Sequence, residues 1–94
     1  MNKNFKILWF EDDGDWRNPI EDEINEVLIS KYLKPFIQVF QSADTFDISN
    51  IEKQNYDLIL VDNYLFDNTC KGTDLITKIR KNQILTDILF YSSK

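Results

Sequence analysis

Acidic side chains are the groups in this chain best placed to do chemistry. Glu11, Asp12 and Asp13 follow directly on the apolar run Phe5–Phe10, Asp62 ends the run Leu58–Val61, and the hydroxyls of Ser92 and Ser93 follow Ile88–Tyr91. The sequence has no histidine, which removes the imidazole base of Ser-His-Asp and Cys-His nucleophile systems. A single cysteine, Cys70, cannot close an intramolecular disulfide and, without histidine, cannot build a Cys/His zinc site. Carboxylate, hydroxyl, lysine and metal chemistry remain.

Whether these groups meet depends on the elements that carry them. Phe5-Lys6-Ile7-Leu8-Trp9-Phe10 is short and almost continuously apolar, the pattern of a strand buried on both faces. Ile20, Ile24, Val27, Leu28 and Tyr32 then recur at helical spacing, with Glu21, Asp22, Glu23 and Glu26 between them. Asn18, Pro19 and Glu21 are expected to cap that helix, with Asp15 as an earlier alternative. Residues 35–40 predict a second strand. Residues 43–54 predict only a short helix near their end, because Thr45, Asp47, Ser49 and Asn50 are weak helix formers. The clearest strand is residues 57–62, four apolar residues between two aspartates. A polar loop leads to Gly72. Leu75, Ile76 and Ile79 predict a short amphipathic helix that closes on Arg80-Lys81-Asn82, cations at its negative end. Residues 88–91 predict a fourth strand.

Strands and helices therefore alternate, which predicts right-handed crossovers and one α/β domain with a doubly wound parallel sheet. In such sheets the ligand crevice lies outside the carboxyl ends of the strands, where Glu11, Asp12, Asp13, Asp62 and Ser92 stand. Strands one and three are expected to be neighbours. Carboxylates brought this close cannot all stay ionised unless a cation joins them. A hard divalent ion suits oxygen ligands, and Mg²⁺ takes one or two carboxylates while keeping several waters. Asp13 is expected to serve helix entry, and Trp9 and Trp16 to serve packing.

Composition narrows the function classes. Ninety-four residues and 43% apolar content suit a single packed domain. Sixteen acidic residues against eleven basic give a net charge of −5, and the whole excess lies in the first half. Such a surface repels phosphate backbones and anionic membranes, so direct nucleic-acid or membrane binding is not expected. No apolar run is long enough to span a bilayer, and the N-terminal apolar stretch ends in acids instead of a cleavage site. One cysteine fits a reducing, cytoplasmic setting. Lys78, Arg80 and Lys81 read as a solvated helix face.

The ordered motifs resemble the receiver domain of bacterial two-component response regulators. Lys6-Ile7-Leu8-Trp9-Phe10-Glu11-Asp12 resembles the family's first strand and acidic pair, and Asp57-Leu58-Ile59-Leu60-Val61-Asp62 its third strand and phosphoacceptor. Gly72-Thr73-Asp74-Leu75-Ile76 resembles the glycine entry to helix three. Asp87-Ile88-Leu89-Phe90-Tyr91-Ser92 resembles strand four with its hydroxyl. The resemblance implies a flavodoxin-like sheet of spatial order two-one-three-four. It implies that Asp62 accepts the phosphoryl group and also binds Mg²⁺. Asp12 would bind the ion directly, Glu11 through a water and Tyr64 through its backbone carbonyl, while Ser92 would contact the phosphate. It further implies a histidine kinase or phosphotransfer protein as donor and an effector as recipient of the signal, with no metabolic turnover. The loop from Asp62 to Gly72 is longer than the family's usual spacing and carries Phe66 where proline is common. Helix four, strand five with its lysine and helix five are absent, so a fragment of a longer protein is expected. Strand four is then left as an open edge, and a dimer or larger assembly is expected. The competing reading is a receiver-like interaction module that does not use phosphate. A phosphohydrolase of the haloacid dehalogenase type would need a second aspartate two residues after Asp62, where Tyr64 stands.

Overall fold

A computed structural model of the chain describes residues 3–41, 46–63 and 71–92. Its elements are β1 (Lys3–Phe10), α1 (Gly14–Ser30), β2 (Leu33–Phe40), α2 (Ser49–Gln54), β3 (Leu58–Asp62), α3 (Gly72–Lys81) and β4 (Ile88–Tyr91). The four strands form one sheet in the order β2-β1-β3-β4, and every pairing is parallel. The α/β class is the one the alternation of elements predicts, the strand order is the one the resemblance implies, and β1 and β3 are direct neighbours.

Strand alternation sorts the core into two faces. Leu8, Phe10, Ile59 and Val61 point to one face and are buried with Ile51 of α2 and Leu75 and Ile79 of α3. Ile7, Trp9 and Leu60 point to the other and are buried with Leu28 of α1, beside the half-buried Trp16, Ile20 and Ile24. The Ile20-Ile24-Leu28 line is thus the packing stripe of α1. Val27 and Tyr32, which the spacing adds to it, are exposed instead, and Tyr32 lies past the end of the helix with a φ of 61°.

Helix α1 also starts earlier than its Asn18-Pro19 signal suggests. Asp13 is the N-cap, and its Oδ1 accepts the Trp16 backbone N–H at 3.1 Å. Asn18 and Pro19 fall inside the helix, where proline withholds one N–H from the backbone ladder. An aspartate at the end of the β1 turn satisfies the orphan N–H groups sooner than the later cap could.

Coverage is uneven at the β4 edge. Leu89 and Phe90 are exposed. Beside α1 the sheet carries an apolar cavity of about 350 Å³, lined in part by Phe5, Ile7, Ile20, Leu60, Leu89 and Tyr91. No described helix is long and apolar enough to cross a membrane.

Candidate metal centre

The register of the sheet builds the centre. Trp9 pairs with Leu60 and Phe10 with Val61, so one further step sets Glu11 beside Asp62. Asp62 in turn pairs with Tyr91 of β4. Two hydrogen bonds carry the ladder past the strand ends: Glu11 N–H donates to the Phe40 carbonyl at 3.0 Å, and Asn63 N–H to the Tyr91 carbonyl at 2.7 Å. The result is a transverse row at the carboxyl end of the sheet, Glu11–Asp62–Tyr91.

Glu11, Asp12 and Asp62 each offer a carboxylate oxygen, and the three atoms lie within 4.8 Å of one another. Glu11 and Asp62 are fully buried, while Asp12 is half-buried. Burial holds the Glu11 carboxyl above its ordinary value of 4.5. The adjacent Asp62 adds to that rise, and hydrogen bonds from Tyr91 and Asp13 oppose it. A buried carboxyl pushed up by desolvation and a like charge is the environment a cation relieves. The all-oxygen donor set fits a hard divalent ion such as Mg²⁺. Asp13 is exposed and turned aside to its capping role, as expected from the sequence.

Ser92 follows Tyr91 at the same end of the sheet and is exposed. Tyr64, Phe66 and Cys70 lie outside the described residues. Gly72 opens α3 directly against the site. A Cβ there would stand 2.5 Å from the Asp62 carbonyl oxygen and 3.1 Å from Asn63 Cα, so glycine is what allows α3 to approach the end of β3 so closely.

Sequence reasoning missed the support around Glu11. The Tyr91 hydroxyl donates to Glu11 Oε1 at 2.6 Å and accepts from Trp9 Nε1–H at 2.7 Å. The Asp13 N–H donates to Glu11 Oε2 at 3.0 Å. Trp16 stacks on the Tyr91 ring, with centroids 5.1 Å apart and planes 9° from parallel. Burial and the Glu11 carboxylate together push the Tyr91 phenol well above the usual range, so it stays a neutral donor. The available signal was chemical: a tyrosine in a buried-strand pattern needs a partner for its hydroxyl. Comparison with family models, curated proteins and solved structures finds no match to the chain.

Proposed function

We propose that the chain is a receiver of a two-component phosphorelay, built on a flavodoxin-like sheet, with Asp62 as the phosphoacceptor. The observation that carries this reading is the burial of Asp62 in one cluster with Glu11 and Asp12, at the carboxyl end of a β2-β1-β3-β4 parallel sheet. Asp62 ends a strand whose Ile59, Leu60 and Val61 are all buried, so its backbone is held still. Orientation of this kind supplies much of the rate in phosphoryl transfer. An Asp62 carboxylate oxygen forms the new bond to phosphorus as the bond from phosphorus to the donor's imidazole nitrogen breaks, leaving an aspartyl phosphate and a free imidazole. A bound divalent ion would supply charge neutralisation on the phosphoryl oxygens. Asp12 and Asp62 would hold that ion directly and Glu11 through a water, while Ser92 would donate to a phosphoryl oxygen. A histidine kinase or phosphotransfer protein in the cytoplasm would be the donor, and an effector would read the change.

A second reading, an interaction module independent of phosphate, draws support from the apolar cavity beside α1 and the exposed Leu89. Intact mass after incubation with acetyl phosphate and Mg²⁺ separates the two. The receiver reading expects one added phosphoryl group on the wild type and none on Asp62→Asn. No addition to the wild type, or equal addition to both, would decide for the module.

A further inference from the structure

We infer that Tyr91 is a positioning residue for Glu11 and that it ties the acidic centre to Trp9; this rests on reading Glu11, Asp12 and Asp62 as a metal site. Each oxygen of Glu11 already carries one donor from a different part of the fold. Oε1 takes the Tyr91 hydroxyl at 2.6 Å, and Oε2 takes the Asp13 N–H at 3.0 Å. A carboxylate has about four acceptor positions, so this clamp fixes the group's rotation and still leaves acceptor capacity for a cation or its water.

Tyr91 is itself held from two further directions. Trp9 Nε1–H donates to its hydroxyl at 2.7 Å, and Trp16 lies flat on its ring. The link from indole to hydroxyl to carboxylate runs from β1 through a residue of β4 and back to the end of β1, crossing β3 and Asp62 on the way. Such linked hydrogen bonds polarise one another in a low-dielectric site. Glu11 cannot turn without breaking its bond to the hydroxyl that also holds Trp9. Phenylalanine at position 91 would keep the stack on Trp16 but leave the Trp9 N–H and Glu11 Oε1 each short of a partner. Loss of a partner that supports a metal-binding carboxylate typically costs about 10- to 100-fold in affinity.

The test measures Mn²⁺ binding by loss of the free-ion paramagnetic resonance signal, with Mg²⁺ as competitor. Tyr91→Phe is expected to weaken binding about 10- to 100-fold while circular dichroism reports an intact fold. In a Glu11→Gln background, Tyr91→Phe should have no further effect, because Tyr91 acts through that carboxylate. Equal affinity of Tyr91→Phe and wild type, or full additivity with Glu11→Gln, would overturn the proposal while leaving the metal site standing. Failure of the wild type to bind, or unchanged binding by Asp62→Asn, would overturn the metal site itself and the proposal with it. Should Tyr91→Phe not fold, the wild type decides: the Trp9 indole N–H resonance is expected to shift on saturation with Mg²⁺, and a resonance that stays in place rejects the link.

Discussion

On one face of the sheet, Leu8, Phe10, Ile59 and Val61 lie sealed under α2 and α3. On the other, Ile7, Trp9 and Leu60 share α1 alone with an apolar cavity of about 350 Å³. Two short helices close the first face, because buried Ile51, Leu75 and Ile79 reach the sheet from both. The longer α1 contributes only Leu28 as a buried residue, and the rest of its stripe is half-exposed. The acidic row belongs to the looser face, since Glu11 shares the side of Trp9 and Asp62 that of Leu60. The difference separates tasks. The sealed face supplies cooperative stability, and the looser face can tolerate the small rearrangements that charging or ligating a buried carboxylate demands.

Truncation on the two faces should break that comparison first if it is wrong. Ile79→Ala removes a fully buried side chain from the sealed face, and such changes cost about 2–5 kcal/mol. Ile24→Ala touches a half-buried residue beside the cavity, where water can already reach, and should cost about 1 kcal/mol. Urea unfolding of both variants gives the two numbers. Equal losses would show that the faces contribute alike.

Gly72→Ala probes a place where α3 of the sealed side touches the acidic row. The added methyl would lie 2.5 Å from the Asp62 carbonyl oxygen and 3.0 Å from a ring carbon of Phe90. The half-exposed Phe90 ring can give way but the backbone oxygen cannot do so easily, so about 1–3 kcal/mol of stability should be lost. The shift of α3 should also disturb Mg²⁺ binding, which a titration followed by tryptophan emission would report. A variant with wild-type stability would mean that α3 docks more loosely than its contacts indicate.

How far these features could be read in advance depended on where their signals lie. The strands were legible because each is an uninterrupted apolar run between polar ends, as in Leu58–Val61 between Asp57 and Asp62. The row of carboxylates was legible for the same reason, since strand ends define the crevice. Helix ends were legible unevenly: α3 opens at Gly72 and closes at Lys81 with Asn82 as its C-cap, as its sequence suggests, whereas both ends of α1 were misjudged. With only two glycines in the chain, the residues that turn left-handed after the three helices are Tyr32, Asn55 and Gln83, at φ values of 61°, 54° and 60°. Punctuation that glycine usually provides was therefore missing. Tyr91 was hidden in an apolar run, because its hydrogen bonds cross the whole of β3, and no local pattern encodes a contact between residues 11 and 91.

A pH series sharpens the claim that the looser face carries a strained charge. Glu11 in the unfolded chain releases its proton near 4.5, whereas burial beside Asp62 raises its value in the folded chain. Between those two values the native state binds more protons, so this group's contribution to stability falls as pH rises through the window and stays lost above it. The urea midpoint should therefore be lower at pH 7 than at pH 5. Mg²⁺ at pH 7 should recover stability by binding the native state, and Glu11→Gln should flatten the profile. Asp47 titrates outside this window. Hydrogen bonds from Ser49 hold it below 3.8, so its contribution disappears only as pH falls through that lower value. A midpoint that rises from pH 5 to pH 7 in the wild type, and equally in Glu11→Gln, would contradict the strained-carboxylate account.

The smallest expected change in stability concerns the two edges of the sheet. The β2 edge carries Lys34 and Pro35 within its strand, features that discourage pairing with another chain. The β4 edge is Ile-Leu-Phe-Tyr, four residues with neither charge nor proline. Leu89 is 56% exposed and Phe90 42% exposed. Leu89 pairs with Leu60 and so extends the row of the looser face outward from the cavity. Association through this edge would cover both the unpaired backbone and the apolar rim, so sedimentation of the wild type at micromolar concentration should reveal dimers or larger species. Leu89→Lys places a charge on the edge at a position already open to water. Folding stability should change by no more than about 0.5 kcal/mol, yet the larger species should disappear. If the wild type sediments as a monomer, the four-residue edge is too short to template pairing. If Leu89→Lys associates as the wild type does, the contact lies elsewhere, and the looser face is not what brings copies together.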